Sequence, residues 1–243
     1  AHSAVTSAII GPRTMEQLED NLGATAVGTG LNAGDDYTRA AIANLTRYTR
    51  LRLRPAANLF RVTQSMGDVL AYSGALRRLS VETAKIASDL RLLSMGPRAG
   101  LSEIVLPAVQ PGSSIMPGKV NPSVPEMVNQ VCCQVIGCDA AILAAADAGQ
   151  LELNVMMPVI AWNALHATSI LGQAMRVFQQ RCVSGIVADA ARTRELLDRS
   201  TALATALSPH IGYAETAANA KSSVETGRPI RETVRGRRLV PDR

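Results

Sequence analysis

Large aromatic side chains are scarce in this sequence: one Trp, two Phe and four Tyr, 3% of 243 residues. Sheets fill their faces with aromatic and β-branched residues, so this scarcity, with Ala and Leu abundant, argues for helices packed through small side chains. Histidine is nearly as rare. His2, His166 and His210 lie far apart, and Cys132, Cys133, Cys138 and Cys182 show no C-x-x-C spacing. A zinc site has little to build on, no metal is expected, and the thiols are expected to be buried and reduced. Also lacking are any run of eighteen uninterrupted apolar residues and any charged start followed by an apolar run. The expectation is a cytoplasmic protein with no membrane partner.

What is present suits a chain with a real core: 47% hydrophobic and 19% charged residues. Length alone allows one large domain or two small ones. The net charge of +5 is partly a tail effect, since Arg228, Arg231, Arg235, Arg237, Arg238 and Arg243 crowd the last stretch. Aromatic residues do not interleave with these arginines and no recognition motif precedes them. A solvated basic end is expected, with no nucleic-acid partner. The remaining positive charge would attract an anionic small molecule.

Periodicity gives the organisation. Leu59, Val62, Met66, Val69, Leu76, Leu79, Ile86, Leu90 and Leu93 follow three-and-four spacing without a proline, which predicts one helix over 58–95. Gly67 and Gly74 are its weak points. At 1.5 Å per residue it would span about 57 Å and would need cover from other helices, other subunits included. A second helix is expected from "SVPE", where Ser123 and Glu126 have capping-box spacing and Pro125 falls in the first turn. A third is expected over 158–182, and three short ones over 190–206, 213–225 and 228–236. Residues 4–10, "AVTSAII" with glycine and proline following, predict a strand, and Thr14 and Gln17 a capping box.

Between the first two long helices stands "PGSSIMPGKVNP", residues 111–122. Pro111, Pro117 and Pro122 forbid a regular helix and Gly112 and Gly118 add backbone freedom, so this is a loop. Turn chemistry does not call for Lys119 or Asn121. The run resembles the signature of the fumarase/aspartase superfamily. "LGATAVGTGLN" (22–32), "LRLLSMGPRAGLSEIVLP" (90–107), "PEMVNQVC" (125–132), "AGQLELNVMMPVIAWN" (148–163) and "ETGRPIRE" (225–232) resemble further segments of it, in order. "NPSVPEMVNQV" and "ETGRPIRE" are closer to the aspartate ammonia-lyase branch than to class II fumarases, whereas "ELNV" and "ALSPHIGY" are common to both.

The resemblance implies a mainly α fold: an elongated helical bundle of the fumarase/aspartase type over 23–185, with a small helical C-terminal domain and basic tail over 186–243. It implies an anti elimination that converts L-aspartate to fumarate and ammonia without a cofactor, the alternative being fumarate hydration. It further implies Ser113 as the catalytic base, Ser114, Lys119 and Asn121 as ligands of the dicarboxylate, and Glu126 as a supporting acid. Ser113 would act as an alkoxide stabilised by surrounding N–H groups and positive charge. Backbone N–H groups around Ser114, Ile115 and Met116 would bind the charge that develops on the substrate carboxylate. Family members are roughly twice as long and assemble each active site from three subunits of a tetramer. Their N-terminal half supplies a Thr-His segment that has no match here, so the chain alone is expected to be inactive. A non-catalytic helical oligomerisation module is the alternative of another class. Residues 1–22 instead resemble the last strand and helix of aldo-keto reductases, with Arg13 and Thr14 as counterparts of anion ligands. Too little of that barrel is present to bind NADPH.

Overall fold

The computed structural model describes residues 33–112, 115–116 and 118–236. The chain is mainly α and divides into two compact units, residues 1–88 with 124–178 and residues 89–123 with 179–243. The anticipated C-terminal domain over 186–243 falls within the second, which also takes in 89–123. The expected strand over 4–10, the capping box at Thr14 and the reductase-like segment 1–22 lie outside the described residues.

The first unit is built on α1 (Asp35–Thr49), α2 (Leu59–Gln64), α3 (Gly67–Leu93), α4 (Ser123–Asp147) and α5 (Met157–Arg181). Sequence periodicity missed α1. Its large apolar residues are few, Tyr37, Ile42, Leu45 and Tyr48, and none of its residues is buried, yet Asp35 and Asp36 in the first turn and Arg47 in the last complement the helix dipole. Arg50 closes it in the left-handed region at φ 58°, its N–H donating to the Thr46 carbonyl at 2.9 Å.

The single helix expected over 58–95 is two. Asn58 caps α2 by accepting the Arg61 N–H at 3.0 Å. The chain then turns extended at Ser65 (φ −89°, ψ 125°), and the Ser65 hydroxyl accepts the Gly67 N–H as α3 begins. Serine competing locally for backbone N–H groups, next to a glycine of poor helix propensity, ends one helix and starts the next. The 27 residues of α3 span about 40 Å rather than about 57 Å.

The face that α3 buries also differs from the expected apolar stripe. Val69, Ser73, Ser80, Thr83 and Ala87 are buried, while Leu79 and Ile86 are exposed. Small side chains allow neighbouring backbones to approach closely, and their polar atoms are bonded where partners permit. Ser73 Oγ donates to Asp139 Oδ1 at 2.6 Å, and Arg77 Nη1 donates to Asp139 Oδ2 at 2.9 Å. Tyr72 and Thr168 hydroxyls meet at 2.6 Å, joining α3 to α5.

Helix α4 begins at Ser123 as expected and buries Val124, Val128, Cys132, Val135, Cys138 and Ile142 on one face. It is the one described helix long and apolar enough to cross a membrane by length and composition. That apolar face, with Asp139 bonded beneath it, marks it as a core helix. Val69, Ile142, Ala145 and Ile160 form the cluster where α3, α4 and α5 meet, with Met66, Leu70 and Ala164 against it. Helix α5 matches the expected 158–182. Three thiols are buried as anticipated, but Cys133 is exposed. It follows buried Cys132 by one residue, about 100° around the helix, and so points away from the core.

In the second unit β1 (Ile104–Val105) pairs antiparallel with β2 (Val187–Ala188), Ile104 opposite Ala188 and Val105 opposite Val187. Two-residue strands leave no periodicity to read, and the sequence did not reveal them. Helices α6 (Ala190–Arg199), α7 (Ser208–Ile211), α8 (Tyr213–Thr226) and α9 (Ile230–Gly236) follow. The element expected over 190–206 is divided: α6 ends at extended Ser200, whose hydroxyl accepts the Ala202 N–H at 3.1 Å and starts a 3-10 turn over Thr201–Leu207. Ala204, Ile230 and Val234 form the core here. Helix α8 turns Thr216, Asn219 and Ser223 inward, and each donates to a backbone carbonyl, Gly212, Glu215 and Arg228 respectively.

Candidate functional site

The loop over 111–122 is anchored first by the segment that leads to it. The Glu103 N–H donates to Leu93 O at 2.9 Å, and the Asp189 N–H donates to Glu103 O at 2.9 Å beside the two-strand ribbon. Arg192, on the first turn of α6, reaches back to the same segment. Its Nε donates to Leu101 O at 3.0 Å, Nη2 to Gly100 O at 3.2 Å and Nη1 to Glu195 Oε2 at 2.8 Å. Hydrogen bonding and charge from Arg192, with a smaller share from Arg199, hold the Glu195 carboxyl below its ordinary range. Next to β1, Pro107 packs so closely on Gly185 that a Cβ there would stand 2.5 Å from Pro107 Cγ. At the other end the Asn121 carbonyl accepts the Ser123 N–H at 2.8 Å and its hydroxyl at 3.5 Å as α4 starts.

Inside the loop, two glycines carry the conformation. Gly118 takes φ +82°, and the Lys119 N–H donates to Met116 O at 3.1 Å, closing a four-residue turn. A positive φ at the third residue of such a turn is what glycine supplies without steric cost. Gly112 has φ +102°, and a Cβ on it would stand 2.7 Å from the Lys119 carbonyl oxygen. The two ends of the 112–119 excursion therefore meet in a backbone neck.

Of the residues singled out from the sequence, Lys119 is exposed and forms no ion pair among the described residues. Asn121 is half-buried, and its side-chain amide makes no hydrogen bond to the described residues. Glu126 lies half-buried in the first turn of α4. Ser113 and Ser114 lie outside the described residues. An ammonium and an amide donor two residues apart, neither consumed internally, are the equipment for holding a carboxylate. The neck fixes Lys119 beside the residue preceding Ser113.

Asn154 was not singled out from the sequence, although it belongs to the quoted "ELNV". It is 1% exposed and joins three segments. Its Nδ2 donates to Ala145 O at 3.0 Å and Ala146 O at 3.2 Å, its Oδ1 accepts the Met156 N–H at 2.8 Å, and its own N–H donates to Thr63 O at 3.4 Å. One side chain thus closes the end of α4 and sets the entry to α5. Burial pushes the Cys132 thiol up, assisted by Cys133 and opposed by the Ser80 hydroxyl, and burial does the same to Cys182. Neither is equipped as a nucleophile at neutral pH.

A family model described as "Lyase" matches residues 11–137, and one described as "Fumarase C C-terminus" matches residues 203–243. Aspartate ammonia-lyase of Pseudomonas fluorescens is 50% identical over 224 residues, 92% of this chain and 47% of that protein. Aspartate ammonia-lyase of Helicobacter pylori is 46% identical over 233 residues, covering 93% of this chain and 50% of that protein. The chain spans about half the length of the curated relatives it matches. Among solved structures, the fumarate lyase:delta crystallin of Brucella melitensis in native form superposes with a TM-score of 0.80 at 44% identity, covering 93% of this chain and 52% of that one. Recombinant class II fumarase of Schistosoma mansoni gives 0.82 at 37% identity, covering 90% and 49%.

Proposed function

The chain belongs to the lyase family of the fumarase/aspartase superfamily, and from that membership we propose that it carries the C-terminal share of an aspartate ammonia-lyase. The observation that carries the reading is the signature loop itself, with Lys119 and Asn121 left free of internal partners among the described residues. Identity of 46 to 50% to aspartate ammonia-lyases across nearly the whole chain supports it.

In this reading Ser113 removes the Cβ proton of L-aspartate. The electron pair of that C–H bond first resides in an aci-carboxylate, then forms the Cα–Cβ double bond as the Cα–N bond breaks. Fumarate and ammonia leave. Lys119 supplies a point charge and Asn121 an amide donor, and together they bind and hold the substrate carboxylate. Ser114 is a further ligand, and Glu126 a supporting acid. The part of the site outside this chain comes from the N-terminal share and from other copies. The exposed apolar residues of α3, α4 and α5 favour such self-association, into a tetramer by family precedent. Free thiols at all four cysteines fit a reducing, cytoplasmic compartment.

The test is fumarate formation from L-aspartate, followed by ultraviolet absorbance, in this chain co-expressed with the N-terminal half of the Pseudomonas fluorescens relative. Turnover is expected in the mixture and absent from this chain alone. Ser113→Ala should abolish it, while Ser114→Ala retains more. Equal rates for Ser113→Ala and the parent would remove Ser113 as the base. Turnover of L-malate but not L-aspartate would favour the fumarase branch, to which the Schistosoma mansoni structure points. No turnover in any mixture would favour the oligomerisation module.

A further inference from the structure

We propose that Gly112 is a positioning residue for Lys119, and that the backbone neck between them sets where the ammonium meets the substrate carboxylate. The inference rests on the ammonia-lyase reading and adds a residue to it. Two independent features make position 112 intolerant of a side chain. Its φ of +102° lies where L-residues are strained. A Cβ would also stand 2.7 Å from the Lys119 carbonyl oxygen. Because that neighbour is backbone, it cannot swing aside as a side-chain tip would. Reaching ordinary contact at 3.4 Å requires the Lys119 main chain to retreat by about 0.7 Å.

Gly118 has a positive φ of +82° as well, but nothing lies within 4 Å of a Cβ there. The steric constraint is therefore specific to Gly112, and it acts on the residue that carries the charge. The Lys119 N–H is already tied to Met116 O at 3.1 Å, so movement at the neck breaks or strains that bond rather than being absorbed in slack chain. A displacement approaching 1 Å in a substrate-holding group can cost about 100-fold.

The experiment is a double-mutant cycle of Gly112→Ala and Lys119→Ala in this chain co-expressed with the relative's N-terminal half. Gly112→Ala should raise the KM for L-aspartate about 10- to 100-fold while kcat changes by less than about 3-fold. Adding it to Lys119→Ala should change KM by less than about 3-fold, because the group it positions is gone. A second measurement guards against misfolding: amide hydrogen exchange in this chain. Gly112→Ala should accelerate exchange at Lys119 while the interior amides of α4 remain as protected as in the parent. A kcat loss with unchanged KM, or additive effects in the cycle, would overturn the proposal and leave the ammonia-lyase reading standing. Unchanged Lys119 exchange would also overturn it. An inactive parent mixture would bring down the ammonia-lyase reading and this proposal together.

Discussion

At the scale of single residues, the polar groups inside this chain divide into those consumed by the fold and those left over. Asn154 is fully consumed, with both donors and its acceptor bonded to backbone. Asn154→Ala leaves the Ala145 and Ala146 carbonyls and the Met156 N–H without partners. It should cost about 2–3 kcal/mol in urea unfolding of this chain; a loss under about 0.5 kcal/mol would mean that water replaces the cap. In the loop, Lys119 and Asn121 are left over, with no side-chain partner among the described residues. Lys119→Ala should leave the melting temperature unchanged while weakening substrate binding in the reconstituted mixture. The thiols add a pH dependence whose sign follows from burial. Cys132 and Cys182 have raised pKa values in the fold. Their stabilising contribution is complete below the unfolded thiol pKa and lost as pH rises through the folded one. Stability should fall above about pH 9, and Cys132→Ala with Cys182→Ala should flatten that fall. At neutral pH a thiol reagent should label Cys133 first, since it is the exposed one.

At the scale of elements, legibility followed the strength of the local pattern. Helices α4 and α5 were plain because large apolar residues recur on one face over 25 residues each. The break at Ser65 was not, because a periodic pattern continues through it in register. The competition of the Ser65 hydroxyl for the Gly67 N–H, at a glycine already weak in a helix, divides the run. The buried face of α3 was misassigned for a related reason: serine, threonine and alanine at close helix contacts carry no hydrophobic signal. The signature loop was legible as a motif, but the neck was not, since no rule of composition brings Gly112 onto the Lys119 carbonyl. The ribbon and its Arg192 anchor are long-range features of the same kind. Arg192→Met keeps the aliphatic stem and removes all three donors. It should destabilise the second unit by about 1–2 kcal/mol and speed hydrogen exchange at Asp189 and Glu103; unchanged exchange would show that the two-strand pairing stands without the clamp.

At the scale of the whole molecule, α3 buries mostly small residues, and the long helices of the first unit leave several large apolar ones exposed. Leu79 and Ile86 on α3, Leu143 on α4, and Trp162 and Leu165 on α5 are each 45% exposed or more. Exposed leucines taken singly are ordinary, but these lie on the three longest helices of a unit whose core is drawn from the same helices. Covering them in an assembly would remove apolar surface from water at roughly 25 cal/mol per Å². The one tryptophan makes that testable. Trp162 is 71% exposed, stacked on His166 with ring centroids 6.2 Å apart, so in a lone chain its emission should lie at the red, solvated end. Self-association through α5 should shift the emission to the blue as concentration rises, together with an increase in sedimentation coefficient. Leu165→Glu, which sets a charge one turn from Trp162, should hold the emission red and the species small at the same concentrations. A red, monomeric parent at the highest attainable concentration would show that these helices stay exposed without the N-terminal share. The apolar surface would then have to be covered by that share rather than by further copies of this chain.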